Sequence, residues 1–380
     1  MHSDHPVPSA TASDNRPKLR DFLRMMIKEE ASDLVLKTGG CPAIRQSGVI
    51  RFVGDQPLTR DIMQGYLQEV LSDRHKDEYR TTGASDLSVS LPNVGRFRCN
   101  VFNQCGETGF VFRAIKNEIP SFKELNLPVE SLKRLASMKR GLVLATGTAG
   151  SGKSTTLASM IEYVNRNMNK HIITIEDPIE FRFEDKRSIV NQREVGVDVV
   201  DFSSALRQAV RQSPDVILIG EMRDAETVQA AISAAETGHL VFSTLHTVNA
   251  VQTVERIITF FPPHQHELVR LQLALNLAGV VSLRLIKNKD GSAMVPAVEL
   301  LINTPTVREL LEQGSTRSLP KALAEGSYYG TMTFNQSLIR LFQAGNISLE
   351  DALVASDNPD ELKMQMRGIT AGGTSRPIAN

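Results

Sequence analysis

The run Gly147-Thr148-Ala149-Gly150-Ser151-Gly152-Lys153-Ser154 constrains this chain more than any other stretch. It has the spacing G-x-x-x-x-G-K-S, follows the apolar residues Leu142-Val143-Leu144-Ala145, and precedes a helix-compatible segment from Thr155 to about Asn167. Glycines let a backbone double back so that several N–H groups converge on one anion. A helix that starts there adds the positive end of its dipole. A plain glycine–serine turn would not need both glycines, the lysine and the serine in register. In this strand–loop–helix setting the run reads as a phosphate-binding loop. Residues 147–155, ending at Thr155, would line a nucleotide such as ATP, with Lys153 at its terminal phosphates and the Ser154 hydroxyl on Mg2+.

At 380 residues the chain has room for two or three domains and a sizeable core. Lys+Arg and Asp+Glu are equal at 43 each, and aromatic content is 5%, so neither charge nor stacking surface argues for nucleic acid. Cys41, Cys99 and Cys105 have neither C-x-x-C nor zinc spacing and read as thiols of a reducing compartment. No stretch approaches the eighteen apolar residues of a membrane span, and the N-terminus (His2, Asp4, His5, Pro6) lacks the apolar core of a signal peptide. The expected location is the cytoplasm.

Residues 1–17 read as a disordered tail. From 18 to 115 the order is helix (Leu19 to Glu30), short strands, a helix from Asp61 to Tyr79, then three strands within 85–113, a small α+β domain. The polar, proline-bearing stretch 116–121 reads as a linker with Pro120 near a hinge. Strands alternating with helices over 122–302 predict a mostly parallel sheet covered on both faces. Residues 303–368 predict a block of amphipathic helices, and 369–380 a flexible end.

Ligands of open parallel sheets bind at the carboxyl ends of the strands, so polar chemistry should gather just after apolar runs. It does so three times beyond the phosphate loop. Ile172-Ile173-Thr174-Ile175 runs into Glu176-Asp177-Pro178, two carboxylates able to hold Mg2+ or orient water, although this is also ordinary turn composition. Val216-Ile217-Leu218-Ile219 runs into Gly220-Glu221. Glycine occupies the usual place of a metal-binding aspartate, and Glu221 is the candidate to polarise the attacking water. Asp215 precedes that strand and is not assigned to the site. Leu240-Val241-Phe242-Ser243-Thr244 delivers Leu245-His246, with His239 just before the strand. Either histidine can sense a terminal phosphate or serve a structural role.

These four elements, in this order, resemble the secretion-type hexameric ATPases of type II secretion and type IV pili. They are the loop at 147–154, the acidic box 173–180, the variant Walker B stretch 217–224 and the histidine box 237–247. The resemblance spans about Leu19 to Ile369. Within the family the chain looks like the twitching-motility retraction branch. It enters its single N-terminal domain through Ala31-Ser32-Asp33-Leu34, lacks a four-cysteine insertion, and carries Leu300-Leu301-Ile302-Asn303-Thr304-Pro305 and Gly330-Thr331-Met332-Thr333-Phe334-Asn335-Gln336. Val35 departs from the histidine of many relatives, with a consequence expected for packing.

The resemblance implies a PAS-like N-terminal domain, a RecA-like ATPase domain, a C-terminal helical block and a hexameric ring with ATP between the two domains. It further implies an inner-membrane platform protein as partner, peripheral attachment at the pilus base, and a paralogous retraction ATPase as a second partner. An accessory ring role beside a sister motor is the alternative function, and a RecA-type nucleic-acid motor a more distant one. Implied roles are phosphate and Mg2+ binding for Lys153 and Ser154, metal and water contact for Glu176 and Asp177, catalysis for Glu221, and γ-phosphate sensing for His246 and His239. Arg96, Arg98 and Arg113 match positions where relatives present arginine to a nucleotide, although alternating Arg-Phe-Arg also describes an exposed strand face.

Overall fold

The computed structural model describes residues 17–46, 48–115 and 118–367. The tail expected over 1–17 therefore lies outside the described residues apart from Pro17, as do linker residues 116 and 117 and the end expected to be flexible, 369–380. The chain divides into two compact units, residues 1–117 and 118–380.

The first unit runs α1 (Leu19–Lys28), β1 (Asp33–Lys37), β2 (Ala43–Gln46), β3 (Val49–Phe52), α2 (Arg60–Val70), α3 (Asp73–Thr82), β4 (Ala84–Leu91), β5 (Gly95–Gln104) and β6 (Glu107–Ile115). Its six strands form one antiparallel sheet in the order β3-β2-β1-β6-β5-β4. Alternation sorts the faces: Phe97, Cys99 and Val101 of β5 and Phe110 and Phe112 of β6 are buried with Leu23 and Met26 of α1. The helix expected over 61–79 is two helices. Leu71 and Ser72 turn extended between them (ψ 125° and 166°), which buries Leu71 at 4% exposure in the core.

The second unit continues with α4 (Val129–Ala136), β7 (Gly141–Thr146), α5 (Lys153–Asn167), β8 (His171–Glu176), β9 (Ile189–Glu194), α6 (Phe202–Ala209), β10 (Val216–Ile219), α7 (Ala225–Glu236), β11 (Leu240–Leu245), α8 (Ala250–Thr259) and α9 (His266–Asn276). It closes with β12 (Leu277–Lys287), β13 (Met294–Ile302), α10 (Pro305–Glu312), α11 (Leu319–Glu325), α12 (Phe334–Gln343), α13 (Leu349–Ala355) and α14 (Pro359–Met366). The sheet order is β13-β12-β7-β11-β10-β8-β9, parallel throughout except for the antiparallel pair β12–β13. β7, β8, β10 and β11 are buried on both faces, hence their unbroken apolar runs. One face packs against α4 and α5 and the other against α6, α7, α8 and α9. β9 escapes a reading of the sequence because an edge strand need not be apolar, and Asn191, Gln192, Arg193 and Glu194 make it polar.

Local signals set the helix ends. The Asp224 carboxylate accepts from the Thr227 N–H at 2.8 Å and caps α7. Thr333 and Gln336 form a reciprocal capping box at α12. Ser159 of α5 donates to the Pro120 carbonyl at 2.6 Å, so the expected hinge residue is fixed to the helix that begins at the phosphate loop.

Glu299 of β13 is a half-buried residue whose carboxylate accepts from the Ala250 N–H at 2.7 Å, at the start of α8. Burial pushes its pKa from 4.5 up to about 7, Asp357 adding to the rise while the Ala250 hydrogen bond and Arg284 oppose it. Its stabilising contribution is therefore present below pH 4.5 and is lost as pH rises through 7. Glu299→Gln keeps the acceptor and carries no charge. It should match the parent near pH 4.5 and be more stable above neutrality, by on the order of 2–3 kcal/mol. Denaturant unfolding across this range measures it; a difference that does not change with pH contradicts the assignment.

Candidate nucleotide site

β7 delivers the loop. Gly147 has φ +145°, and a Cβ there would lie 2.4 Å from Ser151 Oγ and 2.5 Å from the Leu283 carbonyl oxygen, so only glycine fits. Gly152, at φ +95°, turns the chain into α5, whose first residue is Lys153. The Lys153 side chain folds back over the loop, and Nζ donates to the carbonyls of Gly147 at 3.0 Å and Thr148 at 2.9 Å. Burial lowers its pKa below the usual lysine value, with Glu221 and Glu180 pulling the other way. Ser151 Oγ is buried without a hydrogen-bond partner beneath the same loop. A cradle of turned backbone, a buried ammonium and an orphaned hydroxyl together suit an anion bearing several oxygens.

Parallel register carries the other strand ends to the same edge, pairing Ile219 of β10 with Ile175 of β8 and Ser243 of β11, and Leu245 with Thr146 of β7. Glu176 closes β8. It is buried, accepts from Thr174 Oγ1 at 2.7 Å and Gln192 Nε2 at 3.3 Å, and burial pushes its pKa up to about 7 against those two bonds. A cation nearby would favour its ionised form. Asp177 follows it in an exposed position. After β10 the chain passes Gly220, where a Cβ would lie 3.4 Å from both Glu176 Cα and the Ile175 carbonyl oxygen. These are ordinary contact distances, so the backbone leaves room for a small side chain at this position. Glu221 is then held in a fork, 2.8 Å from Arg223 Nη2 and 3.3 Å from His246 Nε2. The bond to Glu221 raises the Arg223 pKa.

Comparison with known proteins matches the chain over residues 15–342 to the family described as type II/IV secretion system protein. The chain belongs to this family. It is 42% identical to the type IV pilus retractation ATPase PilT of Pseudomonas aeruginosa, across 90% of this chain and 99% of that protein. It is 40% identical to the type IV pilus ATPase PilU of the same organism, across 91% and 90%. Among solved structures, the pilus retraction motor PilT with bound ADP superposes with a TM-score of 0.84 at 45% identity, covering 91% of this chain and 99% of that one. Membership fixes the fold class as a RecA-like α/β domain with a PAS-like α+β domain before it and helices after it.

Not every residue singled out within this secretion-family chain reaches the strand ends. His239 precedes β11 at the edge where Leu240 pairs with Gly141, the start of β7, whereas the loop follows the end of β7. At about 3.3 Å per residue it lies roughly 20 Å along the strand from His246. Its imidazole Nδ1 lies 2.8 Å from the Ala234 carbonyl oxygen, a helix-end contact. The expectation that His239 reads the phosphate of this loop is corrected accordingly, for the reason that already set Asp215 aside. Asp215 accepts from Lys170 Nζ and the His171 N–H at the same far edge.

The three arginines belong to the first unit, where cross-strand register places Arg45, Asp33, Arg113 and Arg98 in one row. Arg113 Nε lies 2.8 Å from Asp33 Oδ1 and Arg98 Nε 3.7 Å from Asp86 Oδ1. Arg96, two residues before Arg98 in β5, shares its face. The residues that sequence reasoning missed are partners: Thr174, Gln192 and Arg223. Only Arg223, two residues from Glu221, carried a signal that spacing could have exposed.

Gly147→Ala places a Cβ against backbone as well as Ser151, and should weaken ADP or ATP affinity at least roughly tenfold. Titration with a fluorescent nucleotide measures this; an unchanged dissociation constant contradicts the close packing of the loop.

Proposed function

We propose that the chain is an ATP-hydrolysing hexameric motor that drives type IV pilus retraction through an inner-membrane platform protein. The observation that carries this reading is Glu221, forked between Arg223 and His246 at the strand end and acting electrostatically on the Lys153 ammonium. The kinship to PilT, named as a retraction ATPase, supplies the pilus context.

In the proposed mechanism the loop N–H groups and Lys153 hold the β- and γ-phosphates of ATP. Lys153 exchanges its two loop carbonyls for phosphate oxygens, which is favourable for a buried ammonium. The Glu221 carboxylate accepts a hydrogen bond from water and aligns it with the γ-phosphorus. The water oxygen bonds to phosphorus as the bridging bond to ADP breaks, and the proton passes to the phosphate released. When bound, Mg2+ would offset phosphate charge. The Ser154 hydroxyl and the Glu176 and Asp177 carboxylates, hard oxygen donors, are the residues that would hold it. Among the described residues no cluster of three or more His, Cys, Asp or Glu side chains gathers as a metal cage. His246 senses loss of the γ-phosphate through Glu221. Arg96, Arg98 and Arg113 are further candidates to stabilise phosphate charge.

Among the described residues no helix is long and apolar enough to cross a membrane. Attachment at the inner face of the membrane is therefore assigned to contact with the platform protein. A second reading, an accessory ring beside a paralogous motor, rests on the 40% identity to PilU against 42% to PilT. Deleting this gene and its paralogue singly and together separates them: an independent motor retains retraction when the paralogue is lost.

Glu221→Gln should retain ATP affinity and the native mass of a six-chain assembly with nucleotide, while turnover falls by roughly a hundredfold or more. Colorimetric phosphate release and native mass spectrometry read the two. Turnover near the parent rate removes Glu221 from catalysis, and a single-chain mass with nucleotide removes the ring.

A further inference from the structure

Glu221 hangs on one neighbouring residue. β10 ends at Ile219, so Gly220, Glu221 and Met222 leave the sheet and lose the ladder that fixes a strand. Thr244 of β11 replaces that ladder on both sides of Glu221. Its hydroxyl donates to the Gly220 carbonyl at 2.6 Å, and its own carbonyl accepts from the Met222 N–H at 3.2 Å. On the far side Gly220 N–H donates to the Ile175 carbonyl at 2.8 Å. The residues before and after Glu221 are thus clamped to a single threonine, itself buried at 6% exposure. Two residues further on, the same chain presents His246 to Glu221 Oε1.

We propose that Thr244 is a positioning residue for hydrolysis: it fixes the direction of the Glu221 carboxylate and couples it to the segment that carries His246. The proposal rests on Glu221 being the group that aligns water. The hydroxyl is the decisive atom, because the carbonyl contact survives any side chain whereas the bond to Gly220 needs an O–H. A carboxylate that must hold water in line with the γ-phosphorus tolerates little angular freedom. Nucleotide affinity, by contrast, comes from the loop and Lys153, which Thr244 does not touch through any hydrogen bond. Val is close in shape to Thr and lacks the donor; Ser keeps the donor and loses a methyl group.

The test compares Thr244→Val, Thr244→Ser, Glu221→Gln and the double variant Thr244→Val/Glu221→Gln in the full-length chain. Steady-state kcat and KM for ATP are read alongside ADP affinity. Thr244→Val should lower kcat roughly tenfold or more with ADP affinity within about twofold of the parent, and Thr244→Ser should restore most of kcat. The double variant should be no slower than Glu221→Gln alone, because the two residues act through one group. A Thr244→Val chain as fast as the parent overturns the proposal. So does a loss of kcat shared by Thr244→Ser and accompanied by lost ADP affinity, which marks a purely structural residue. Full activity in Glu221→Gln rejects the underlying reading of Glu221 instead, a result that separates the two failures.

Discussion

A buried ammonium, that of Lys153, is the constraint on which the rest of the second unit depends. Burial alone makes such a charge unfavourable, and the fold answers with two loop carbonyls at about 3 Å and with the fields of Glu221 and Glu180. The loop can offer those carbonyls only because Gly147 passes within contact distance of Ser151 and Leu283. β7 in turn holds the loop in place between β12 and β11, with both of its faces buried. A local preference for turned glycine backbone thereby becomes a requirement on the whole sheet.

The parallel register then decides which chemistry meets the loop. Glu176, Glu221 and His246 lie far apart in sequence and arrive at one edge because each follows an apolar strand. His239 and Asp215, equally polar and equally close to strands, precede theirs and lie at the other edge. Which side of a strand a residue falls on therefore separates the site from ordinary turn polarity.

Much of this was legible in the chain itself. Gly147 to Ser154, the buried strands and the caps at Asp224 and Thr333 all obey rules in which neighbours along the sequence are neighbours in space. The break between α2 and α3 was not, because it follows from the burial of Leu71, a tertiary effect that outweighs helical periodicity. β9 was hidden for a related reason: an edge strand supplies Gln192 to Glu176 without needing apolar residues of its own. The approach of His246 to Glu221 and the threonine clamp behind it arise from cross-strand register, which composition and spacing do not encode.

The measurement that tests the Lys153-centred site most directly is equilibrium binding of ATP with Mg2+, by calorimetry, to the parent chain and to Lys153→Ala. Removing the ammonium should weaken binding by roughly a hundredfold or more, on the order of 3 kcal/mol, and should leave the fold intact by circular dichroism. Equal affinity in a folded Lys153→Ala chain would contradict the assignment of the loop as the phosphate site, and with it the assembly of Glu176, Glu221 and His246 around a nucleotide.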